Sequence, residues 1–360
     1  MKVVIVLGSS VGGIGAHVLD LAGFLAHRGH QVVVAAPPET GEWFDFTGAG
    51  PGIAFAPVPI FAAPHPARDL PAVRALRRLI RGADAVHAHG VRAGSLTRLA
   101  LLRLPNPPRS VVTLHNAMLA TGARARLLGV LERLAVRRAD MVFGASGDLV
   151  DRARELGARH AGLGPIPAPP LPPPARDRAQ VRADFGLDPS RPLLLAVGRL
   201  APQKAYPVLL DALAQLTVDS KPALVIAGDG PLRADLDARI AELGVDAHLL
   251  GSRDDVADLL AAADVFVLSS DWEARALVVQ EALRAGLPVI ATRAGGIPDL
   301  VGEAAVLVPP GDPGALARAL DALLGDPAER QRLRRAAVEQ AASWPTAEAA
   351  LGLVLDAYSG

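Results

Sequence analysis

The chain has 360 residues, 51% hydrophobic and 21% charged, with 37 basic and 37 acidic side chains and no cysteine. Such a composition describes a folded chain with room for two cores, and excludes a disulfide framework, a thiolate nucleophile and cysteine-ligated zinc. No apolar run approaches the ~20 residues of a membrane span, and Met1 runs into KVVIVLG without a signal-peptide pattern, so the expected location is the cytoplasm.

Charge is distributed unevenly. Met1 to Pro170 carries 19 basic and 11 acidic residues, net +8, and the remainder is net −8. A basic half favours an anionic neighbour. The Arg-rich stretches RALRRLIR (74–81) and ARARLLGVLERLAVRRAD (123–140) leave two readings open: arginines solvating exposed helix faces, or a peripheral contact with an anionic membrane at the inner surface.

In chain order, short β-branched runs alternate with helical patterns, the signature of parallel α/β sheets. The first set of strands is 3–7, 31–36, 84–89, 110–115 and 140–146; the second is 192–198, 223–228, 248–252, 264–270, 287–292 and 305–310. Between the sets lies GPIPAPPLPPP (164–174), seven prolines in eleven residues, which can form neither a helix nor a central strand and reads as a semi-rigid connector. The sequence therefore predicts two doubly wound domains whose strand C-termini, and hence ligand loops, face a common cleft, with closure about the linker during turnover.

The loops after these strands carry the chemistry. GSSVGGIGAHV places Gly12, Gly13 and Gly15 before a helix starting near Ile14, suited to a phosphate at a helix N-terminus. A dinucleotide fingerprint would need G-x-G-x-x-G, but Val18 stands where its last glycine belongs, which weighs against a dehydrogenase. VGRLAPQK sets Arg199 and Lys204 between a strand and a helix, two cations fitted to clamp a diphosphate. Glycine-rich turns recur in AGDGP and ATRAGGIPDLV. In DWEARALVVQE, Glu273 and Glu281 lie eight positions apart, which on one helix is a rise of about 12 Å. That exceeds the ~5–9 Å of a glycosidase acid pair, so the two carboxylates have separate tasks along one elongated ligand.

The ordered set GGIG, VGRLAPQK, AGDGP, E-x7-E and GGIPDLV resembles the family 4 glycosyltransferases, retaining enzymes of the GT-B fold that use nucleotide sugars. The resemblance spans essentially the whole chain, including SWPTAEAALGLVLDAY (343–358), similar to the helix that crosses back to the N-terminal domain in that family. It implies two Rossmann-like domains: an acceptor-binding domain over 1–163, a Pro-rich linker over 164–190, a nucleotide-sugar-binding domain over 191–342 and a crossover helix over 343–360. It also implies that Arg199 and Lys204 neutralise the donor diphosphate, that Glu281 bonds the ribose and that Glu273 meets hydroxyls of the transferred sugar. Backbone amides around Ala276, Leu277 and Val278 would meet the phosphates, Ser252 and Arg253 would border the nucleobase, and Gly12, Gly13 and Gly15 would approach the diphosphate and sugar. His115 in VTLHNAM would position sugar and acceptor, with His87 and His89 of VHAHG either lining the acceptor site or packing.

The implied reaction moves a sugar from a UDP- or GDP-linked donor to an acceptor hydroxyl, with no metal or other cofactor required. The acceptor is a small molecule, lipid or glycan, and nucleic acid is not a partner. The D-x-D of Asp235-Leu236-Asp237 falls within a helical pattern and reads as surface. Where the family has a glycine-rich turn after the first glutamate, this chain has Ala274-Arg275-Ala276, and Ala205 replaces a frequent glycine. The alternatives are a GT-B nucleotide-sugar epimerase, a nicotinamide-dependent oxidoreductase and a catalytically silent sugar-nucleotide-binding protein.

Overall fold

The computed structural model describes residues 1–10, 12–117, 122–164, 166–188 and 190–360, without the side chains of Ala123 and Arg124. Val11 of the glycine loop, Met118 beyond His115 and Pro165 of the proline run thus lie outside the described residues. The chain divides into two units, Met1–Ile166 with Pro345–Gly360, and Pro167–Trp344.

In the first unit the strands are β1 (Lys2–Leu7), β2 (Gln31–Ala36), β3 (Ile53–Pro57), β4 (Ala85–His89), β5 (Arg109–Leu114), β6 (Met141–Gly144) and β7 (Ala161–Leu163). All pairings are parallel, in the order β3-β2-β1-β4-β5-β6-β7. Val3 to Leu7 of β1 are at most 1% exposed, because helices cover both faces of a parallel sheet and its central strand reads as a continuous apolar run. The edge strands β3 and β7 have no such run: IAFAP is only partly buried, and AGL is three residues long with a central glycine. Neither stands out by periodicity.

In the second unit β8 (Leu193–Val197), β9 (Ala223–Ala227), β10 (Ala247–Leu249), β11 (Val265–Leu268), β12 (Val289–Thr292) and β13 (Ala305–Val308) form another parallel sheet, in the order β10-β9-β8-β11-β12-β13. Its pleat splits the core in two: Leu193 and Leu195 of β8 join one cluster, Leu194 and Ala196 the other. The described residues from Pro167 to Pro174 are neither helix nor strand; the chain then forms a short helix, Arg178–Ala183, whose capping box pairs Asp177 with Gln180.

The last helix, Ala347–Ser359, is capped by Thr346 and buries Ala350, Leu351, Val354 and Tyr358. Leu351, Val354 and Tyr358 join the first unit's core with β1 and β2 residues. Among the described residues no helix is long and apolar enough to cross a membrane.

Both sheets reverse their strand order at one point, between β1 and β4 in the first and between β8 and β11 in the second. Beyond the carboxyl ends of the strands flanking such a reversal, loops diverge and leave a crevice for a ligand. All the candidate loops except that of Arg253, which follows the edge strand β10, come after strands at or beside these two points.

Candidate active site

In the second unit, the loop after β8 continues through a short 3-10 turn, Pro202–Lys204, into the helix Tyr206–Ala214. Ala205 joins them in the left-handed conformation, φ 48°, which a glycine would adopt more readily. This turn aims Lys204 at the loop after β11, where its Nζ lies 2.6 Å from Glu273 Oε1. Ser270 Oγ donates to the same carboxylate oxygen at 2.9 Å, and Ser269 Oγ ties the Lys204 carbonyl back at 2.8 Å. Gln203 completes the lock, its Nε2 donating to the Trp272 carbonyl at 2.6 Å while its carbonyl accepts from Asp271 N. Two residues with separate tasks in the sequence reading thus form one ion pair, with 19% and 12% of their side chains exposed. The ammonium has three protons and uses one here, so it can still address an anion.

Arg199 is exposed and forms no ion pair with the described residues. Glu281 lies in the helix Leu277–Arg284, half-buried; burial raises its carboxyl above the usual 4.5, partly opposed by the charge of Arg284. No side chain caps this helix at Ala276, so its first amides are available to an anion. The GGIP turn packs directly on the loop after β11: Gly295 has φ +55°, and a Cβ there would lie 2.1 Å from the Glu273 carbonyl oxygen. Gly296 N donates to that same carbonyl at 2.9 Å.

The Arg253 guanidinium grips both carboxylate oxygens of Asp255, at 2.7 and 2.5 Å, which fixes its orientation at the turn. Asp235 and Asp237 fall inside the helix Arg233–Leu243. Among the described residues no group of three or more His, Asp or Glu is placed to hold a metal.

In the first unit, Gly12 faces open space, whereas a Cβ on Gly15 would lie 2.1 Å from the Phe44 ring. A side chain at Gly15 would thus collide with Phe44, and the Gly15 amide donates to Ser10 Oγ at 3.0 Å. The ends of β4 and β5 bring three histidines together. His89 Nδ1 and His115 Nε2 share a hydrogen bond of 2.9 Å, and the His87 and His89 rings lie 4.2 Å apart. His87 is held through both nitrogens, by Tyr358 Oη and Thr113 Oγ1, each at 2.7 Å. A fourth imidazole, His17 of the helix Gly13–His27, meets His89 and His115 edge-on at 5.6 and 6.0 Å.

All four are buried and neutral. Burial pushes His17 down to about 4 and, helped by His17, His87 to about 3; burial with the neighbouring imidazoles holds His89 and His115 well below 6.5. His89 Nε2 is buried without a partner among the described residues. His89 and His115 line a cavity of about 280 Å³, together with Ser9, Ser10, Phe61 and Asn116. The Arg92 guanidinium on its wall is balanced by Asp69 at 2.6 Å.

The sequence motifs missed His17, Tyr358, Thr113 and Ser270. A polar residue on the apolar stripe of the first helix was the signal for His17. Thr113 meets His87 only once β4 and β5 pair, and Tyr358 only once the last helix packs; Ser270 is local to Glu273, three residues away, but no motif marks it.

Known proteins show the same organisation. The family profile described as glycosyl transferases group 1 matches residues 177–340, and a glycosyl transferase 4-like domain matches 12–169. D-inositol 3-phosphate glycosyltransferase of Xylanimonas cellulosilytica is 32% identical, the alignment covering 97% of this chain and 91% of that protein. N-acetyl-alpha-D-glucosaminyl L-malate synthase of Bacillus anthracis is 26% identical over 91% of this chain and 88% of its own length. The solved structure of Anabaena Alr3699/HepE in complex with UDP shares the fold, with a TM-score of 0.83 over 100% of both chains at 21% identity. The chain belongs to the group 1 (family 4) glycosyltransferases of the GT-B fold. It is thus a glycosyltransferase, and none of the three alternative readings is favoured.

Proposed function

We propose that the chain moves a sugar from a UDP- or GDP-linked donor to an acceptor hydroxyl with retention of configuration and without a metal. The observation that carries this is the gathering of Lys204, Glu273 and Ser270 at the switch point of the second sheet, beside the uncapped N-terminus of the helix bearing Glu281. The UDP bound in the Anabaena structure makes a uridine donor the first to test.

Departure of the nucleoside diphosphate develops negative charge on its outer phosphate. Arg199, the remaining protons of Lys204 and the helix amides around Ala276, Leu277 and Val278 meet that charge without reorganising, which is how preorganised dipoles lower a barrier. These cations supply the charge that a metal provides in other transferases. Glu273, held by Lys204 and Ser270, accepts from hydroxyls of the transferred sugar, and Glu281 accepts from the ribose. Gly12 and Gly13 admit the diphosphate and sugar close to the backbone of the first unit.

In that unit the neutral His89–His115 pair addresses sugar and acceptor. His115 Nε2 is occupied by His89, leaving Nδ1 for the substrate, and the unpartnered His89 Nε2 takes an acceptor hydroxyl. A cavity of about 280 Å³ suits one ring-sized moiety. His115 serves to position these groups, and the leaving phosphate takes the acceptor proton. Acceptor attack from the face that the phosphate vacates retains configuration.

Thermal-shift screening against UDP, GDP, ADP and NAD, followed by donor hydrolysis with the stabilising nucleotide's sugars in EDTA, tests this reading. Stabilisation by UDP or GDP and turnover in EDTA are expected; stabilisation by NAD alone refutes it.

A second element of the proposal is contact with an anionic membrane. The helix Gly122–Val136 leaves Leu127 52% and Val130 64% exposed, with Arg126 and Arg133 exposed on the same helix. Apolar side chains among guanidiniums suit an interface of anionic headgroups.

A further inference from the structure

The helix Leu277–Arg284 does more than present Glu281. Gln280, 1% exposed, accepts from Ala168 N through Oε1 at 3.0 Å, and Arg284 Nη1 donates to Ala168 O at 2.6 Å. Both polar groups of one buried backbone residue are thereby held by side chains four positions apart on a single helix. Ala168 is the second residue of the second unit, where the chain arrives from the first.

The other passage is tied to the same helix. Trp344 is the last residue of the second unit, and the guanidinium carbons of Arg275 and Arg284 lie 5.9 and 5.8 Å from its indole ring centre. The Trp344 Nε1–H and the Gln340 amide donate to the Leu300 carbonyl, at 3.2 and 3.0 Å. Arg275 makes no ion pair among the described residues, and those outside them include no Asp or Glu. Its Nε is buried without a partner, so packing against Trp344 is the role its surroundings give it. Arg284 sits on the helix's last turn but reaches out to Ala168, joining the arriving chain to the departing one.

We propose that Gln280 and Arg284 on the donor helix, with Arg275 in the loop just before it, are positioning residues that clamp both passages of the chain to this element, so that nucleotide binding there orders Ala168 and Trp344 and turnover depends on that order. The proposal rests on the donor-site reading above. A helix whose N-terminus and Glu281 are engaged by a ligand has fewer orientations, and side chains projecting from it transmit the restriction to the backbone they hold.

Hydrogen exchange on the full chain tests this, with and without UDP, in the wild type and in Gln280→Leu, Gln280→Glu, Arg284→Met, Arg284→Lys and Arg275→Leu. UDP is expected to slow exchange about fivefold or more in segments 166–170 and 343–347 of the wild type. Gln280→Leu and Arg284→Met should each speed exchange around Ala168 about tenfold without ligand and abolish the UDP response there, with UDP affinity held within about threefold. Arg275→Leu should abolish the response only at 343–347. In turnover, Gln280→Leu should lower kcat about tenfold at nearly constant donor KM, which marks a positioning role. Gln280→Glu keeps the acceptor for the Ala168 amide, Arg284→Lys keeps a donor and the charge near Glu281, and both should restore the wild-type pattern.

Protection confined to 273–281 in the wild type, or wild-type kcat in both Gln280→Leu and Arg284→Met, overturns the proposal. If UDP and the other nucleotides fail to bind the wild type, the donor-site reading falls; the unliganded comparison around Ala168 still decides the clamp, and unchanged exchange there sinks it.

Discussion

Lowering the pH should destabilise the first unit through its four buried imidazoles, and the loss can be worked out. In the folded chain His17 is held down to about 4 and His87 to about 3, while an unfolded histidine titrates near 6.5. Because the folded values are depressed, the unfolded chain binds the protons first. Stability is therefore complete above 6.5 and falls as the pH drops, until the folded values are reached. Each such imidazole lowers stability by about 1.4 kcal/mol per pH unit in that window, or about 2 kcal/mol at pH ~5. His17 and His87 together give about 4 kcal/mol, and His89 and His115 add to it in the same direction. In the first unit the Asp20 carboxyl, raised by burial, acts in the opposite direction as the pH falls.

The assay is urea unfolding between about pH 8 and about pH 5, with hydrogen exchange of peptides from β4 and β5 isolating the first unit. His17→Gln should reduce the pH-dependent loss by about 2 kcal/mol, whatever it does to stability at pH ~8. A total loss below about 1 kcal/mol, or a pH dependence unchanged in His17→Gln, would refute the reasoning. The functional corollary is that the His89–His115 pair stays neutral across the physiological range, as a positioning pair requires.

Glu281→Ala and Lys204→Ala should each weaken UDP binding about tenfold or more by calorimetry, since each removes a charged partner. Because burial raises the Glu281 carboxyl, UDP affinity in the wild type should decline with acid from a higher pH than an ordinary glutamate at 4.5 would dictate, and Glu281→Gln should flatten that decline. His115→Ala should lower transfer about 100-fold with nucleotide affinity within about threefold; normal transfer would remove its assignment. Gly295→Ala forces a side chain into a left-handed turn against the Glu273 carbonyl, and should lower second-unit stability by about 1–3 kcal/mol in urea unfolding. In flotation with anionic liposomes at low salt the wild type should bind, and Leu127→Ser with Val130→Ser should weaken it; absence of wild-type binding would leave only a soluble acceptor.

What the sequence disclosed, and what it hid, follows from how local each signal is. The central strands are continuous β-branched runs because their burial is two-sided, and the loops after them carry glycines because backbones must turn next to a ligand. Both facts are local, so the fold class and the placement of Arg199, Lys204, Glu273 and Glu281 were readable. The edge strands β3 and β7 are not, because an edge strand needs no uniform apolar character. Nor is the histidine cluster. His17, His89 and His115 come from three segments that meet only after β1, β4 and β5 pair in register, and Tyr358 arrives from the last helix to hold His87.

The pairing of Lys204 with Glu273 shows a further limit of motif reading. By motif they are assigned to different parts of the donor, a phosphate and a sugar hydroxyl; in the fold they are one hydrogen-bonded pair also fastened by Ser270. A variant at one is therefore a variant at both: Lys204→Ala leaves a mostly buried carboxylate without its cation, and Glu273→Gln frees an ammonium beside Gly198. If the pair acts as a unit, the double variant Lys204→Ala with Glu273→Gln should cost less in donor affinity than the sum of the single losses, by about 1 kcal/mol or more. Simple additivity would mean that the two residues meet the donor independently, as the motifs alone imply.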